Sequence, residues 1–145
     1  MLRLVVLLPV LVVAVACGGG SKGPTTTAAS TKAPAAKPTL RVVITAESHH
    51  PKLGHTWTYQ VRVTDKATGK PVACLIHLQF FFAGSPVGEV GKHRVANGFW
   101  KETIPAKGKD AFPSAALGFT VVLRATVTAP GYRTAKAGWN VAVVK

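Results

Sequence analysis

The segment His55–Val63, HTWTYQVRV, decides the fold class, because polar and apolar residues alternate strictly from Thr56 onward. One face of the segment carries the aromatic and aliphatic residues Trp57, Tyr59, Val61 and Val63. The other face carries only threonine, glutamine and arginine. A period of two is typical of a strand with one buried and one exposed face. The segment therefore predicts a half-buried β-strand.

Further strand patterns follow in residues 40–145, at 40–46, 72–83, 87–95, 99–104, 117–127 and 137–144. Three of these segments have apolar residues in phase on an expected core face: Cys74, Ile76, Leu78, Phe80 and Phe82; then Leu117, Phe119, Val121, Leu123, Ala125 and Val127; then Trp139, Val141 and Val143. No window has convincing helical periodicity, and 107–116 is predicted as a loop with room for one helical turn.

Turn-forming residues separate these strands. Asp65–Pro71 follows the second strand, Gly84–Pro86 follows the third, and Pro130-Gly131 ends the sixth. Asn97-Gly98 predicts a two-residue hairpin turn, since both residues tolerate positive φ. Seven short strands with such turns predict an all-β fold, an Ig-like or fibronectin-III-like antiparallel β-sandwich of about seven strands.

The first sixteen residues have the pattern of a leader. A basic start at Arg3 precedes a run of thirteen apolar residues, Leu4–Ala16. A helix needs about 20 apolar residues to cross a bilayer, so this run fits a cleaved signal peptide better than a membrane span. The end, Ala14-Val15-Ala16, satisfies the A-x-A rule of ordinary signal peptides, and cleavage there would leave Cys17 as a free N-terminal thiol.

The stretch Ala14-Val15-Ala16-Cys17 also resembles the lipobox of bacterial lipoproteins, although Ala14 stands where that family usually has leucine. The resemblance implies a diacylglyceryl group on the Cys17 thiol and removal of residues 1–16. We therefore expect an extracytoplasmic protein that is anchored to the cell membrane by an N-terminal lipid. Residues 17–39 lack aromatic and large aliphatic side chains, so they predict a disordered tether before a folded domain at 40–145.

Three turn segments of the folded domain resemble motifs of bacterial Ig-like and adhesin-type sandwich domains. They are Thr64–Ala73, Asn97–Trp100 and Thr128–Tyr132. The resemblance implies an actinobacterial-type family of Ig-like envelope proteins, with Cys74 standing where the first motif usually has glycine. Because these motifs specify turns, they predict the fold and leave the chemistry open.

Positive charge is concentrated in the folded domain. The chain has 18 Lys and Arg against 5 Asp and Glu, a formal net charge of +13. Residues 40–145 contain all five acids and all the cations except Arg3, Lys22, Lys32 and Lys37, which leaves +9. A basic exported domain attracts anionic lipids and wall polymers. We expect a membrane-anchored protein whose partner is an envelope protein or an anionic wall polymer, and no nucleic acid, because the leader directs export.

The sequence predicts neither an enzyme nor a bound cofactor. Its acids are scattered singly, and no nucleophile motif or phosphate loop is present. Cys74, the only thiol left after lipidation, is expected to be a buried small hydrophobe, with a reactive or dimerising thiol as the alternative. His49, His50 and His55 could bind copper or zinc, but lack cysteine or carboxylate company at metal spacing. A small-ligand or metal carrier based on these histidines is the alternative function.

The third predicted strand carries the most specific surface candidate. Its second face holds Leu75, His77 and Phe81 among small and polar residues. If the first face packs in the core, these residues form an outward patch rimmed by basic residues, which is typical of a partner site. Alternatively, a loop covers them or a bulge at 80–82 shifts the phase. The predicted function is a lipid-anchored binding or structural module of the bacterial envelope.

Overall fold

The computed structural model of the protein describes residues 36–145. The predicted signal peptide 1–16, the Cys17 lipidation site and most of the predicted tether therefore lie outside the described residues. Within residues 36–145, no helix is both long enough and apolar enough to cross a bilayer.

The described residues form seven β-strands and one turn of 3-10 helix, at Ser114–Ala116. The strands are β1 (Leu40–Ala46), β2 (Trp57–Asp65), β3 (Cys74–Phe82), β4 (Ser85–Val95), β5 (Phe99–Ile104), β6 (Thr120–Thr128) and β7 (Ala135–Ala142). β1 and β5 have the bounds that the sequence predicts, and the other strands differ by at most three residues at either end. The short helix lies in the loop where one helical turn is predicted.

The strands pair into two antiparallel sheets that pack face to face. One sheet has the order β1-β2-β5 and the other has the order β4-β3-β6-β7. The predicted all-β sandwich is therefore confirmed. In an immunoglobulin constant-type domain the fourth strand belongs to the first sheet, whereas here β4 pairs with β3 in the second sheet. This division is the fibronectin-III-like form of the sandwich.

The core lies between the sheets and consists of the apolar side chains on the inward face of each strand. Its largest fully buried side chains include Trp57, Tyr59, Ile76, Leu78 and Leu123. Buried valines of β2, β6 and β7 pack among them. Burying one such side chain contributes about 1.5–3 kcal/mol relative to leaving it exposed. The apolar residues that alternate along each strand are thus the residues that pack between the two sheets.

Asn97-Gly98 does not form the predicted hairpin. β4 pairs with β3 and β5 pairs with β2, so this short connection carries the chain from one sheet to the other. The Gly98 carbonyl accepts a hydrogen bond from the Val63 amide at 2.7 Å, which ties the crossing to the end of β2. Gly98 has a φ of 63°, the left-handed conformation that glycine favours. The prediction failed because a turn motif fixes local backbone geometry without choosing the pairing partners of its flanking strands.

Phe82 and Phe119 lie outside the core, contrary to the predicted core faces of β3 and β6. They are 41% and 51% exposed, and their rings meet edge to face with centroids 5.5 Å apart. Phe119 precedes Thr120, the first residue of β6, so it lies beyond the end of the strand and outside the core. Phe82 is the last residue of β3 and extends past the core. With exposed Val87, these rings form an apolar end of the sandwich.

The irregular strand of the second sheet is β4, at its edge. The register between β3 and β4 shifts twice, between Leu78 and Gln79 and between Phe80 and Phe81. The same part of β3 pairs with β6 without interruption. The extra residues therefore belong to β4, and the outward phase of Phe81 in β3 is unchanged.

Candidate functional site

A polar cluster closes the edge of the sandwich between β4 and β5. One carboxylate oxygen of Glu102 accepts hydrogen bonds from the Tyr59 hydroxyl at 2.6 Å and from the Trp100 indole at 3.1 Å. The His93 ring stacks on Trp100 with centroids 3.9 Å apart. Its buried Nε2 atom lies 3.8 Å from the same oxygen of Glu102. Burial, and then the neighbouring Glu102, raise the pKa of Tyr59 far above its ordinary value, so the phenol remains a donor.

Glu102 also lines a cleft of about 710 Å³ beside the loop that follows β5. The wall of the cleft includes Phe80, Phe112 and the second carboxylate Glu89. Glu89, however, hydrogen-bonds to His77, 2.7 Å away on the outer face of the sheet. The two acids are therefore held in separate hydrogen-bond networks, Glu89 with His77 and Gln79, and Glu102 with Tyr59 and Trp100. This arrangement stabilises the sandwich edge.

Leu75, His77 and Phe81 lie on the outer face of the four-stranded sheet and are half-buried. The Arg124 guanidinium covers Phe81, with its central carbon 3.8 Å from the ring centroid. His77 is bonded to Glu89; burial raises the pKa of Glu89, but its hydrogen bonds, first that to His77, outweigh this and lower it. On this face, polar and cationic side chains therefore contact one another and partly cover the apolar side chains of Leu75 and Phe81.

His49, His50 and His55 lie on the connection between β1 and β2. The His49 ring stacks on Trp139 with centroids 4.0 Å apart, and its Nδ1 lies 2.7 Å from the Asn140 carbonyl oxygen. In the part of the chain that the structure describes, no three His, Cys, Asp or Glu residues form a group that could hold a metal ion. The geometry gives His49 a packing role against the edge strand β7.

Cys74 is buried at the start of β3, with 7% of its surface exposed. Burial raises the pKa of its thiol, which keeps the group protonated at neutral pH. The expectation of a buried thiol is therefore confirmed. Cys74 packs among the buried apolar side chains of the core.

The outer face of the three-stranded sheet carries three exposed cations that the sequence analysis did not single out. Arg41, Arg62 and Lys101 lie on the outward phases of β1, β2 and β5. Arg41 and Arg62 line a groove of about 410 Å³, and Lys101 lines a second groove that shares Thr45 and Gln60 with the first. The only sequence signal for each cation is its outward phase, because their proximity depends on which strands pair.

Across residues 36–145, no Lys or Arg forms a salt bridge with Asp or Glu, and the ion pairs present both involve histidine. Several acids are instead bound to neutral donors. The Glu47 carboxylate accepts a hydrogen bond from the Thr58 amide at 3.2 Å, and Asp65 accepts one from the Thr68 amide at 2.7 Å. No acidic side chain of the described residues therefore neutralises the exposed cations, so their positive potential extends into the solvent.

No protein-family model matches the chain, and no curated protein matches it. Among solved structures, the chain is similar to a crystallised domain of the outer membrane lipoprotein Omp28 from Porphyromonas gingivalis, with 12% sequence identity and a TM-score of 0.47. The match covers 77% of this chain and 93% of that one.

Proposed function

We propose that the chain is a lipid-anchored, extracytoplasmic module of the bacterial envelope that binds an anionic wall polymer. The observation that carries the proposal is the set of exposed cations on the outward face of the three-stranded sheet, Arg41, Arg62 and Lys101, none of which is neutralised by an acidic side chain of residues 36–145. Exposed cations attract anionic polymers over the screening length of the solution. The proposal assigns no catalytic step and no cofactor.

The polymer-binding part is tested by sedimenting purified cell wall with the full chain in detergent. Retention should be strong at low ionic strength and weaker at physiological ionic strength, where the Debye length falls to about 8 Å. Failure to sediment at low ionic strength would contradict the proposal. Recovery of a stoichiometric envelope protein in place of polymer would also contradict it and favour the alternative partner.

The lipid-anchor part rests on the lipobox resemblance at Cys17. We expect Cys17→Ser to move the protein from the membrane fraction to the soluble fraction, because a serine hydroxyl cannot receive the thioether-linked lipid. Cys74→Ala is the matched control, since it removes the other cysteine and should leave the protein in the membrane fraction. Retention of Cys17→Ser in the membrane would show that the anchor is not the Cys17 lipid.

A further inference from the structure

The cations of the three-stranded sheet are ordered by the strand register. Arg41 stands opposite Thr64 of β2, and Arg62 stands opposite Val43 of β1, so the two arginines are diagonal neighbours. Diagonal neighbours on adjacent antiparallel strands lie about 7–8 Å apart.

The same step repeats on the other side of β2. Arg62 stands opposite Phe99 of β5, and Gln60 stands opposite Lys101, which makes Arg62 and Lys101 diagonal neighbours as well. Both diagonals run in the same direction across the sheet. Arg41, Arg62 and Lys101 therefore form one straight row, the cationic stripe, whose backbone positions are spaced about 7–8 Å apart.

The surroundings of the stripe suit an extended anionic chain. The outward residues between the cations are neutral: Val43, Thr45, Gln60, Thr64 and Phe99. The Arg62 guanidinium lies 5.7 Å from the centroid of the Phe99 ring. This contact favours a side-chain conformation in which the guanidinium stays over the outer face of the sheet. Gln60 and the threonines offer hydrogen bonds to hydroxyl groups of a ligand. The two grooves along the stripe share Thr45 and Gln60, and the groove beside Lys101 is also lined by Glu47, whose carboxylate accepts a hydrogen bond from the Thr58 amide.

The spacing and the residue types select a class of polymer. Two of the three cations are arginines, whose planar guanidinium matches the oxygens of a phosphate in a bidentate manner. Six consecutive single bonds in an extended chain span about 7 Å, as two residues of a polypeptide do. A polymer with a three-carbon polyol between successive phosphodiesters has this repeat, so its phosphates match the spacing of the backbone positions that carry the three cations.

We propose that the cationic stripe Arg41–Arg62–Lys101 binds a linear polyol-phosphate polymer, one phosphodiester to each cation. This inference rests on the proposed function and names the ligand and the surface for it. It also places recognition on the three-stranded sheet, opposite the predicted surface of Leu75, His77 and Phe81.

The test compares two triple variants of the full chain in detergent. Arg41→Gln/Arg62→Gln/Lys101→Gln removes the stripe. Lys92→Gln/Arg94→Gln/Lys136→Gln removes the same charge from the outer face of the other sheet, where all three side chains are exposed. Binding to purified poly(glycerol phosphate) and to polygalacturonate of matched charge is measured over a range of salt concentrations. Thermal melts verify that both variants are folded.

The stripe variant should bind poly(glycerol phosphate) at least about tenfold more weakly, with the salt slope reduced by about 2, because three phosphate contacts are lost at roughly 0.7 each. The control variant should keep most of the affinity and the slope. Equal losses in both variants would overturn the stripe and leave general electrostatic adhesion intact. A loss in the control alone would place the site on the other sheet. Equal affinity for polygalacturonate would overturn the choice of phosphate, and no binding of either polymer by the native chain would overturn the proposed function itself.

Discussion

Gly98 is the residue at which the chain passes between the sheets, and its surroundings leave no room for a side chain. A Cβ atom at this position would lie 2.2 Å from the Val63 carbonyl oxygen. We expect Gly98→Ala to lower the free energy of unfolding by about 3 kcal/mol or more, because it adds a clash with the main chain to the strain of a positive φ. Urea denaturation measures the change through the midpoint at constant slope.

Gly131 is the matched control for this prediction. Its φ is 79°, yet no atom lies within 4 Å of a Cβ built there. Gly131→Ala should therefore cost about 1–2 kcal/mol, from the left-handed backbone alone. Equal losses in the two variants would show that the close approach to Val63 is unimportant.

Tyr59 gives the domain a dependence on alkaline pH. Burial and Glu102 hold the pKa of Tyr59 well above its ordinary value of 10.0. As pH rises above 10.0, the unfolded chain releases the Tyr59 proton while the folded chain retains it. This release stabilises the unfolded state, so stability should be fully present below that pH and fall above it.

Tyr59→Phe should reduce this alkaline loss and cost about 1.5–3 kcal/mol at neutral pH, because a hydrogen bond to a carboxylate disappears. Melting temperatures measured from neutral to strongly alkaline pH test both effects. Part of the alkaline loss should remain, since a hydrogen bond to Asp65 also raises the pKa of Tyr132. A native chain whose stability is constant across this range would contradict the prediction.

At the scale of elements, one carboxylate joins two turns that are distant in sequence. Asp65 ends β2, and one of its oxygens accepts hydrogen bonds from the Ala67 and Thr68 amides at 2.9 and 2.7 Å. The Tyr132 side chain, in the turn between β6 and β7, lies close enough to the same carboxylate to lower its pKa. The Thr68 amide first, and then Tyr132, hold the pKa of Asp65 below its ordinary value. Two of the motifs that resemble Ig-like domains therefore stabilise each other.

This link predicts a loss of stability in acid. Below the ordinary pKa of 3.8, the unfolded chain binds a proton on Asp65 before the folded chain does, so stability falls as pH falls through the lower folded value. Asp65→Asn should lower the melting temperature at neutral pH. It should also make the decrease in melting temperature at acid pH, the acid limb, less steep. Asp110→Asn, in an exposed loop, is the control and should change neither. An acid limb of native steepness in Asp65→Asn would argue against the link.

The elements themselves were predictable because each strand carries its own period. The bounds of β1 and β5 were predicted as short strands between turn-forming segments, and the core phase of β2 follows from its alternation. Pairing was not predictable at Asn97-Gly98, because the choice between a hairpin and a crossing depends on β2 and β3, which lie elsewhere in the sequence. Phe119 was misplaced because the period of two in the sequence extends past the strand, whereas β6 begins only after Phe119.

At the scale of the whole molecule, composition predicted the charge but not its arrangement. The sequence shows that residues 40–145 are basic and that their acids are sparse. The row formed by Arg41, Arg62 and Lys101 exists only once β1, β2 and β5 are paired in register. The surface of Leu75, His77 and Phe81 followed from alternation within one strand, but its cover by Arg124 comes from β6. The row of cations and the cover on Phe81 both depend on strand pairing, which alternation within one strand does not specify.

The domain as a whole should be indifferent to reductant. Cys74 is the only cysteine in residues 36–145, and it is buried. A fragment of residues 36–145 should therefore melt at the same temperature with and without reductant. It must retain Pro38 and Thr39, whose carbonyls accept hydrogen bonds from the Arg133 and Lys66 amides. A disulfide between molecules would be revealed if reductant lowered the melting temperature of the native fragment but left that of Cys74→Ala unchanged.

The seven-residue register of β1 on β2 has a mechanical consequence. It runs without a break from Leu40 opposite Asp65 to Ala46 opposite Tyr59. The far end of β7 hydrogen-bonds to the segment just after β1, so the chain enters and leaves the sandwich at opposite ends. Tension between these ends pulls β1 along its own axis and loads all its hydrogen bonds in shear at once. Single-molecule pulling on Leu40 and Lys145 should thus require more force than pulling on Leu40 and Asp65, which peels β1 away bond by bond.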